Sequence, residues 1–475
     1  MNLEKTLRAS RIVCTLGPAS ESLPVLEAMI RAGMNIARLN FSHASHQNHA
    51  KITHRVRDAS RRTDREIAIL QDLQGHKVRI GTVKGTEDLQ LSPSQKIRLG
   101  RGDFVMADRI GIDYDGIENY AEPGHHIYLN DGMIELEVVD KQGTDLICEV
   151  IIAGLLRSRS GAIFPHSNLK FPLINEKDLA DAEFGVKNGV DMIAMSFVRS
   201  ATEIFEMRIR MGEWGIEDSC IIAKIEDQKG FDNIDEILDV ADGILIARGD
   251  LGVCLPREKV PGIQAQIIQK ANARGVPVIT ATQMLESMID NHRPTRAEVT
   301  DVYAAISAGS DAVMLSGETA LGRHPVQAIE EMDRICRVAE NERRHPATIK
   351  IRDGEGLHDR MAEATAMLVK SMNACCVIGL SLSGSTLRSL AATRIGVPIY
   401  GVVASERLSR QLLLHRGLSI ITMPHREQLA DLINPTLEQL KAEKIITAED
   451  RVGVVACEID DQGRRTYLAK VIVID

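Results

Sequence analysis

Aromatic residues are scarce in this chain: they make up 3% of it, with a single tryptophan. Stacking on single-stranded nucleic acid needs aromatic platforms, so that function has little to work with. A basic excess is missing too. The formal net charge is −9, the opposite of a nucleic-acid footprint. A local cluster of Lys and Arg can still sit in an acidic protein, so phosphorylated small molecules stay open as ligands. No apolar run reaches transmembrane length and no signal peptide is legible, which leads us to expect a cytoplasmic protein that does not associate with membranes. The eight cysteines show no paired metal spacing, and Cys375 and Cys376 are adjacent in an apolar run, so reduced thiols are expected. Internal repeats and low-complexity stretches are not apparent.

Apolar residues are plentiful, at 44% of 475 positions, and the length suggests two to four domains. Taken in order, Arg11–Leu16 and Asn35–Asn40 read as strands. Between them Ser22–Ala32 carries apolar residues at helical spacing before Gly33 stops it, and Glu66–Asp72 is a third strand. Strands alternating with helices imply a parallel sheet. The rhythm breaks near Gly75. From there to Lys170, short alternating segments such as Ile134–Val139 and Asp145–Val150 read as a compact all-β insertion, with a hairpin around Lys141–Gly143. Leu73–Gly75 and Phe171–Pro172 would be its hinges. Five further apolar strands follow: Val190–Ser196, Ile221–Glu226, Ala241–Ala247, Val276–Thr280 and Asp311–Leu315. Eight such strand–helix units close most economically as a (β/α)8 TIM barrel, whose sites lie at the strand C-terminal ends. Further on, Val377–Leu380, Pro398–Val403 and Val452–Val455 alternate with helices as an open α/β domain. The expected division is barrel at 1–73 and 172–342, inserted β-barrel lid at 74–171, and C-terminal α/β domain at 343–475.

The strand ends would carry Arg38, Asn40, Ser42, Asp72, Ser196, Arg199, Lys224, Glu226, Arg248, Asp250, Thr282, Ser316 and Glu318, more charge than a rim built for stability needs. Lys224 and Glu226 are two apart on one strand and share a face. Opposite charges at the end of a buried strand are costly unless they act on something, although a structural ion pair is the plainer alternative. Glu226 and Asp250 end neighbouring strands, with no His or Cys beside them. That donor set favours a hard ion, Mg2+ or Mn2+, over zinc. Arg248–Gly252 has two glycines at a strand-to-helix turn, where free amides would bind a small anion such as a carboxylate, unless it is merely a surface turn. Lys224 beside a metal-bound oxyanion would stabilise charge forming on a leaving group. Arg38 supplies a guanidinium suited to a phosphoryl group. The run His43, His46, His49 and His54 lacks an accompanying carboxylate or cysteine and reads as a polar helix face rather than a metal site.

Ile36–His43 (IARLNFSH), Ala223–Glu226 (AKIE), Ala247–Gly252 (ARGDLG), Ala281–Met288 (ATQMLESM), Pro294–Val302 (PTRAEVTDV) and Met314–Ala320 (MLSGETA) stand in the order found in pyruvate kinases, and the chain resembles that family over nearly its full length. The resemblance implies transfer of the phosphoryl group of phosphoenolpyruvate to ADP, a C-terminal effector domain and a homotetramer. Carried over position by position, Lys224 would stabilise the enolate, Glu226 and Asp250 would hold Mg2+, and Gly249, Asp250 and Thr282 would hold the substrate. Thr282 would also lie on the route that protonates the enolate. Arg38 would touch the transferred group, and Asn40, Arg79 and Lys177 the nucleotide phosphates.

Two departures from the family pattern carry information. Potassium-requiring members read roughly Asp-Thr-Lys-Gly-Pro-Glu-Ile-Arg after the third strand, whereas this chain reads Asp72-Leu73-Gln74-Gly75-His76-Lys77-Val78-Arg79. Lys77 in the glutamate position resembles the potassium-independent branch. Its ammonium would take the place of the monovalent cation near Asn40, Ser42 and Asp72. Two unit charges about 4 Å apart are worth roughly 4 kcal/mol at an effective dielectric near 20, so a fixed cation is a substantial contribution. His76 replaces a proline at the lid hinge; it either loosens the hinge or is simply exposed. In the C-terminal domain, Ser381, Ser383, Gly384, Ser385 and Thr386 form a loop between strand and helix that suits a phosphate. Leu382 and Ser385 stand where basic residues are common, and Cys457–Gly463 is acidic where a glycine-rich effector loop is common. A sugar monophosphate therefore fits better than a fructose bisphosphate, and an unused loop stays open.

Overall fold

Eight short strands, apolar along most of their length, form the centre of the molecule: β1 (Arg11–Thr15), β2 (Ile36–Asn40), β3 (Ala68–Asp72), β4 (Met192–Met195), β5 (Ile221–Ile225), β6 (Gly243–Ala247), β7 (Val278–Ala281) and β8 (Ala312–Leu315). In this computed structural model they close into a parallel barrel, β1 pairing with both β2 and β8. The structure describes residues 8–85, 88–216, 218–342, 356–424, 429–459 and 465–475. Every residue of these strands is buried except Arg38 and Asn40 at the end of β2.

Strand parity sets which side chains point inward. Ile36, Ala68, Leu70, Ile222, Leu245 and Ile279 form an inner apolar cluster, while their neighbours Ala37, Ile69, Ala223, Ile225 and Ile244 pack outward against the helices. By the two-residue period, Arg38 continues the inward row of Ile36, Asp72 that of Leu70, and Lys224 and Glu226 that of Ile222. The charges thus rise at the C-terminal end of a barrel whose body is packed with apolar side chains. At its other end Leu413 and Leu414 of the C-terminal domain join the inner cluster and plug the floor.

Helix boundaries account for part of the motif sequences. In Pro294–Val302, Thr295 caps helix Arg296–Ala308 in a reciprocal box with Glu298, and Gly309 ends that helix at φ +117°. Glu318 accepts from the amides of Ser316 at 2.7 Å and Leu285 at 3.0 Å, so it organises loops rather than facing a ligand.

Between β3 and β4 the chain leaves the barrel for a nine-stranded sheet with its own apolar core, which contains the hairpin Ile134–Gln142 and Asp145–Ile152. His76 is not exposed: it stacks on Phe171 at 4.9 Å and so ties the outgoing and returning chains together. Asp178 accepts from the amides of Gln74 and Gly75 and fixes the same hinge from below.

The C-terminal domain is a five-stranded sheet: β9 (Cys376–Leu380), β10 (Ile399–Val403), β11 (Leu418–Thr422), β12 (Arg451–Ile459) and β13 (Arg465–Val473), with the last antiparallel. Sequence patterning shows only three of these. β11 is mostly half-buried and β13 is an edge strand, so neither presents the continuous apolar run of a central parallel strand. The acidic stretch 460–463 and the expected boundary at residue 343 lie outside the described residues. All eight cysteines are free thiols, and among the described residues no helix is long and apolar enough to cross a membrane.

Candidate active site

A polar cavity of about 250 Å3 opens at the C-terminal end of the barrel, under the lid. Arg38, Asn40 and Asp72 reach it from β2 and β3, Ser42 from the loop after β2, Lys224, Glu226 and Asp250 from the ends of β5 and β6, and Lys77 and Arg79 from the lid. These residues span more than two hundred positions of sequence, and barrel closure with the lid above it brings them together.

Asp72 is the hub. Its carboxylate meets Arg38 Nε at 2.6 Å and Lys224 Nζ at 3.1 Å. Lys224 also lies 3.1 Å from Glu226 Oε1 and donates to Ser196 Oγ at 2.6 Å. Ser196 passes the hydrogen bond on to the carbonyl of Leu73. Arg38 Nη1 donates to Thr15 Oγ1 at 2.9 Å, which fixes the guanidinium plane. Burial alone would lower the Lys224 pKa, but Asp72 and then Glu226 outweigh it and hold the lysine charged above its ordinary range. Asp72 is likewise held below the usual carboxylate range, because Arg38 and Lys224 override its burial. Glu226 behaves differently. Burial, reinforced by Asp250 and Asp72 against the pull of Lys224, pushes its carboxyl up to about 7. Its second oxygen accepts from the Phe197 amide at 2.6 Å, and Phe197 is held at φ +54°.

Glu226 and Asp250 fit a hard divalent ion. Both carboxylates line one cavity, and burial, with Asp250 and Asp72 adding to it, raises the cost of charge on Glu226, a cost that a bound divalent ion would offset. Among the described residues no group of three or more His, Cys, Asp or Glu is arranged for a metal. Mg2+ needs no such cage, since it binds through one or two carboxylates and keeps water and substrate oxygens as its other ligands.

The remaining expected residues divide. The Gly249 amide is not free: it donates to Thr282 Oγ1 at 2.8 Å, which joins the two residues beside Asp250. Thr282 sits at φ +65°, a conformation costing about 1–3 kcal/mol that recurs at functional sites. Lys77 lines the same cavity as Asn40, Ser42 and Asp72, but its ammonium faces Asp250 at 3.5 Å and Asp131 of the lid at 3.7 Å. The expected place beside Asp72 is taken, because Arg38 and Lys224 already occupy that carboxylate. Arg79 donates to the carbonyl of Arg159. Lys177 lies on helix Glu176–Lys187, bound to Asp181 at 2.5 Å and to the Phe41 carbonyl at 2.9 Å.

The histidine run is a polar face at His43, His46 and His54, which are exposed, but not at His49. His49 is buried and stacked on Phe41 at 4.0 Å, and His46 is bonded to Asp181 at 2.6 Å. In the C-terminal domain the Ser381 hydroxyl accepts from the Gly384 amide at 2.9 Å, Ser383 and Ser385 are 3.0 Å apart, and Thr386 is buried. Sequence reasoning placed Ser196 on the rim without a role and missed Thr15 and Asp131, because an isolated hydroxyl or lid acid shows no partner until the barrel and lid are assembled.

A (β/α)8 barrel that gathers Lys, Arg and paired carboxylates at its strand ends, beneath a hinged lid, is the site of an enzyme that handles a small polyanion. The family model described as pyruvate kinase, barrel domain, matches residues 7–329, and that described as pyruvate kinase, alpha/beta domain, matches residues 359–472. The pyruvate kinase of Geobacillus stearothermophilus is 38% identical over 473 residues, covering 98% of this chain and 80% of its own. That of Clostridium acetobutylicum is 35% identical over 474 residues, covering 99% and 100%. The chain belongs to the pyruvate kinase family and is a phosphotransferase.

Proposed function

We propose that the chain moves the phosphoryl group of phosphoenolpyruvate to ADP, yielding pyruvate and ATP, with Mg2+ or Mn2+ as its metal ion. The observation that carries this reading is the Lys224 ammonium, kept charged between Asp72 and Glu226 on the inward face of β5. When the bridging C–O–P linkage breaks at phosphorus, the enol oxygen keeps the electron pair. A fixed cation there stabilises the forming enolate more than the ester ground state. Arg38, aligned by Asp72 and Thr15, is placed to take the charge on the phosphoryl oxygens as an ADP oxygen attacks. Gly249, Asp250 and Thr282 would hold the substrate, and the enolate carbon would take its proton on the Thr282 side to give pyruvate. A divalent ion on Glu226 and Asp250 would add positive charge against the substrate oxygens. Lid closure about the His76–Phe171 hinge would exclude water, so that the phosphoryl group passes to ADP rather than being hydrolysed. Asn40, Arg79 and Lys177 would serve the nucleotide phosphates once their present partners are exchanged.

A lysine held above its ordinary pKa is a poor imine nucleophile, which disfavours a Schiff-base aldolase. Lys77 supplies a tethered positive charge in the cavity of Asn40 and Ser42, and we infer from it that turnover needs no K+. A homotetramer, a cytoplasmic location and a sugar monophosphate bound at Ser381–Thr386 complete the reading. A coupled assay with phosphoenolpyruvate and ADP, with Mg2+ and K+ varied separately, tests it. Pyruvate formation should need the divalent ion and proceed at full rate without K+. Absence of pyruvate at saturating Mg2+ would overturn the activity, and a large loss of rate without K+ would overturn the role of Lys77.

A further inference from the structure

A second cavity, of about 300 Å3, lies at the opposite end of the barrel, between its N-terminal face and the C-terminal domain. Arg8, Arg11, Arg394 and Arg416 line it, with Glu340 as the single acid of the lining among the described residues. Buried guanidinium groups are costly unless their charge and donors are answered, so their partners can be counted. Arg8 is answered: Nε meets Asp333 at 2.7 Å, and its other nitrogens reach the carbonyls of Ser10 and Gly33 and the Asn35 side chain. Glu340 is largely committed to the amides of Ala9 and Ser10, at 2.8 and 2.7 Å.

Among the described residues the other three are incompletely answered: Arg394, whose charge Asp311 meets at 3.0 Å, and Arg416 each keep one donor without a partner, and Arg11 lacks a carboxylate. Arg394 directs Nη2 to Asn272, Gly309 and Asp311, but its Nη1 is buried with no hydrogen-bond partner, and the side chain is only 7% exposed. Arg416 Nη1 is buried and unpartnered too, and its Nη2 stands 3.6 Å from Glu340, beyond hydrogen-bonding reach. Arg11 donates to the carbonyls of His415 and Leu418 and has no carboxylate at hydrogen-bond distance among the described residues. Burial, with Arg8 adding to it, lowers its pKa to about 10. Water could satisfy a stray donor but would not neutralise the surplus charge. An anion with several acceptor oxygens does both.

We propose that this cavity binds the phosphate monoester of a small metabolite, with the phosphate among Arg11, Arg394 and Arg416 and its organic part against Ile395 and Val397. The volume lies at the lower end of small-molecule sites, about 300–1,000 Å3, which suits a monophosphate. The site is separate from the loop at Ser381–Thr386. Ala391 in the cavity lining and Ser385 in the loop lie near opposite ends of helix Ser385–Ala392, about 12 Å long at the usual rise. Occupancy would reach the barrel, because Leu413 and Leu414, just before Arg416, belong to its inner cluster. A ligand here would therefore bear on the strands that carry Arg38 and Lys224 at their far ends.

Calorimetric titration of the full chain with inorganic phosphate, a hexose monophosphate and a nucleoside monophosphate tests the proposal. At least one monoester should bind saturably, and Arg416→Gln and Ser419→Glu should each weaken it by at least about tenfold. Arg416→Lys, which keeps the charge, should recover part of that loss and guards against misfolding as the cause. The double variant Ser381→Ala/Ser385→Ala, which disables the loop, should lose only the loop's share of the binding and keep the cavity's, and all variants should keep the parent's unliganded turnover. Failure of every monoester to bind would overturn the site. So would affinity that survives both cavity substitutions in the loop-disabled background, or binding of every monoester abolished by the loop variant alone.

Discussion

Both ends of the barrel bury positive charge, and they treat it differently. At the C-terminal end Lys224 meets two carboxylates at 3.1 Å and Arg38 meets one at 2.6 Å, with Asp72 shared between them. At the N-terminal face Arg8 and Arg394 each meet one carboxylate, at 2.7 and 3.0 Å, but Arg11 meets only backbone carbonyls, and Arg416 stands 3.6 Å from an acid that two amides already occupy. A reciprocally paired cluster holds its geometry before any ligand arrives, which suits chemistry that depends on positioning. An under-paired cluster gains its missing partners only from a ligand, which suits sensing.

The sharpest break in that contrast comes from removing the central cation of the paired end. Lys224→Met should lower kcat for pyruvate formation by at least about 10^3-fold, the upper range for losing one transition-state donor, as steady-state assays would show. Glu226→Gln should raise the Mg2+ concentration needed for half-maximal activity by at least about tenfold, the least expected when even an outer partner of a metal ligand is lost.

The floor offers a pH test. Burial, then the nearby Arg388 and Arg11, lowers the pKa of His415 to about 3, so the folded protein keeps this ring neutral while the unfolded chain protonates near 6.5. The stability from this group is therefore full above pH 6.5 and falls as the pH drops toward 3, by about 1.4 kcal/mol per unit. Urea unfolding at pH 7 and 5.5 should show a smaller acid loss in His415→Gln than in the parent, by roughly that amount. The smallest effect expected is at the lid. Lys77→Met should reduce turnover severalfold in K+-free buffer, and added K+ should restore much of the rate.

Most of the barrel was legible in the sequence because its strands are fully buried and read as unbroken apolar runs bounded by turns. Lys224, Glu226, Arg38 and Asp72 were legible as rim residues for the same reason: charge at the end of such a run has nowhere to go but the rim. What stayed hidden depended on distant pairing. That Asp72 serves Arg38 and Lys224 together, and so leaves Lys77 to Asp250 and Asp131, follows from three strands and a lid meeting in space. The burial of His49 against Phe41 was concealed because a histidine on a polar helix gives no sign of the ring it will stack on. The edge strand β13 escaped for a related reason, since half-exposed strands alternate too weakly to stand out.

The division of labour between neighbouring Lys224 and Glu226 is tested most directly by titrating Mn2+, followed by its paramagnetic resonance, into the Lys224→Met variant alongside the turnover assay. Mn2+ affinity within a few fold of the parent, together with the roughly 10^3-fold loss of pyruvate formation, is the expected result. A variant that loses the ion as well, or one that still turns over, would contradict the assignment of charge stabilisation to the lysine and of metal binding to the acids.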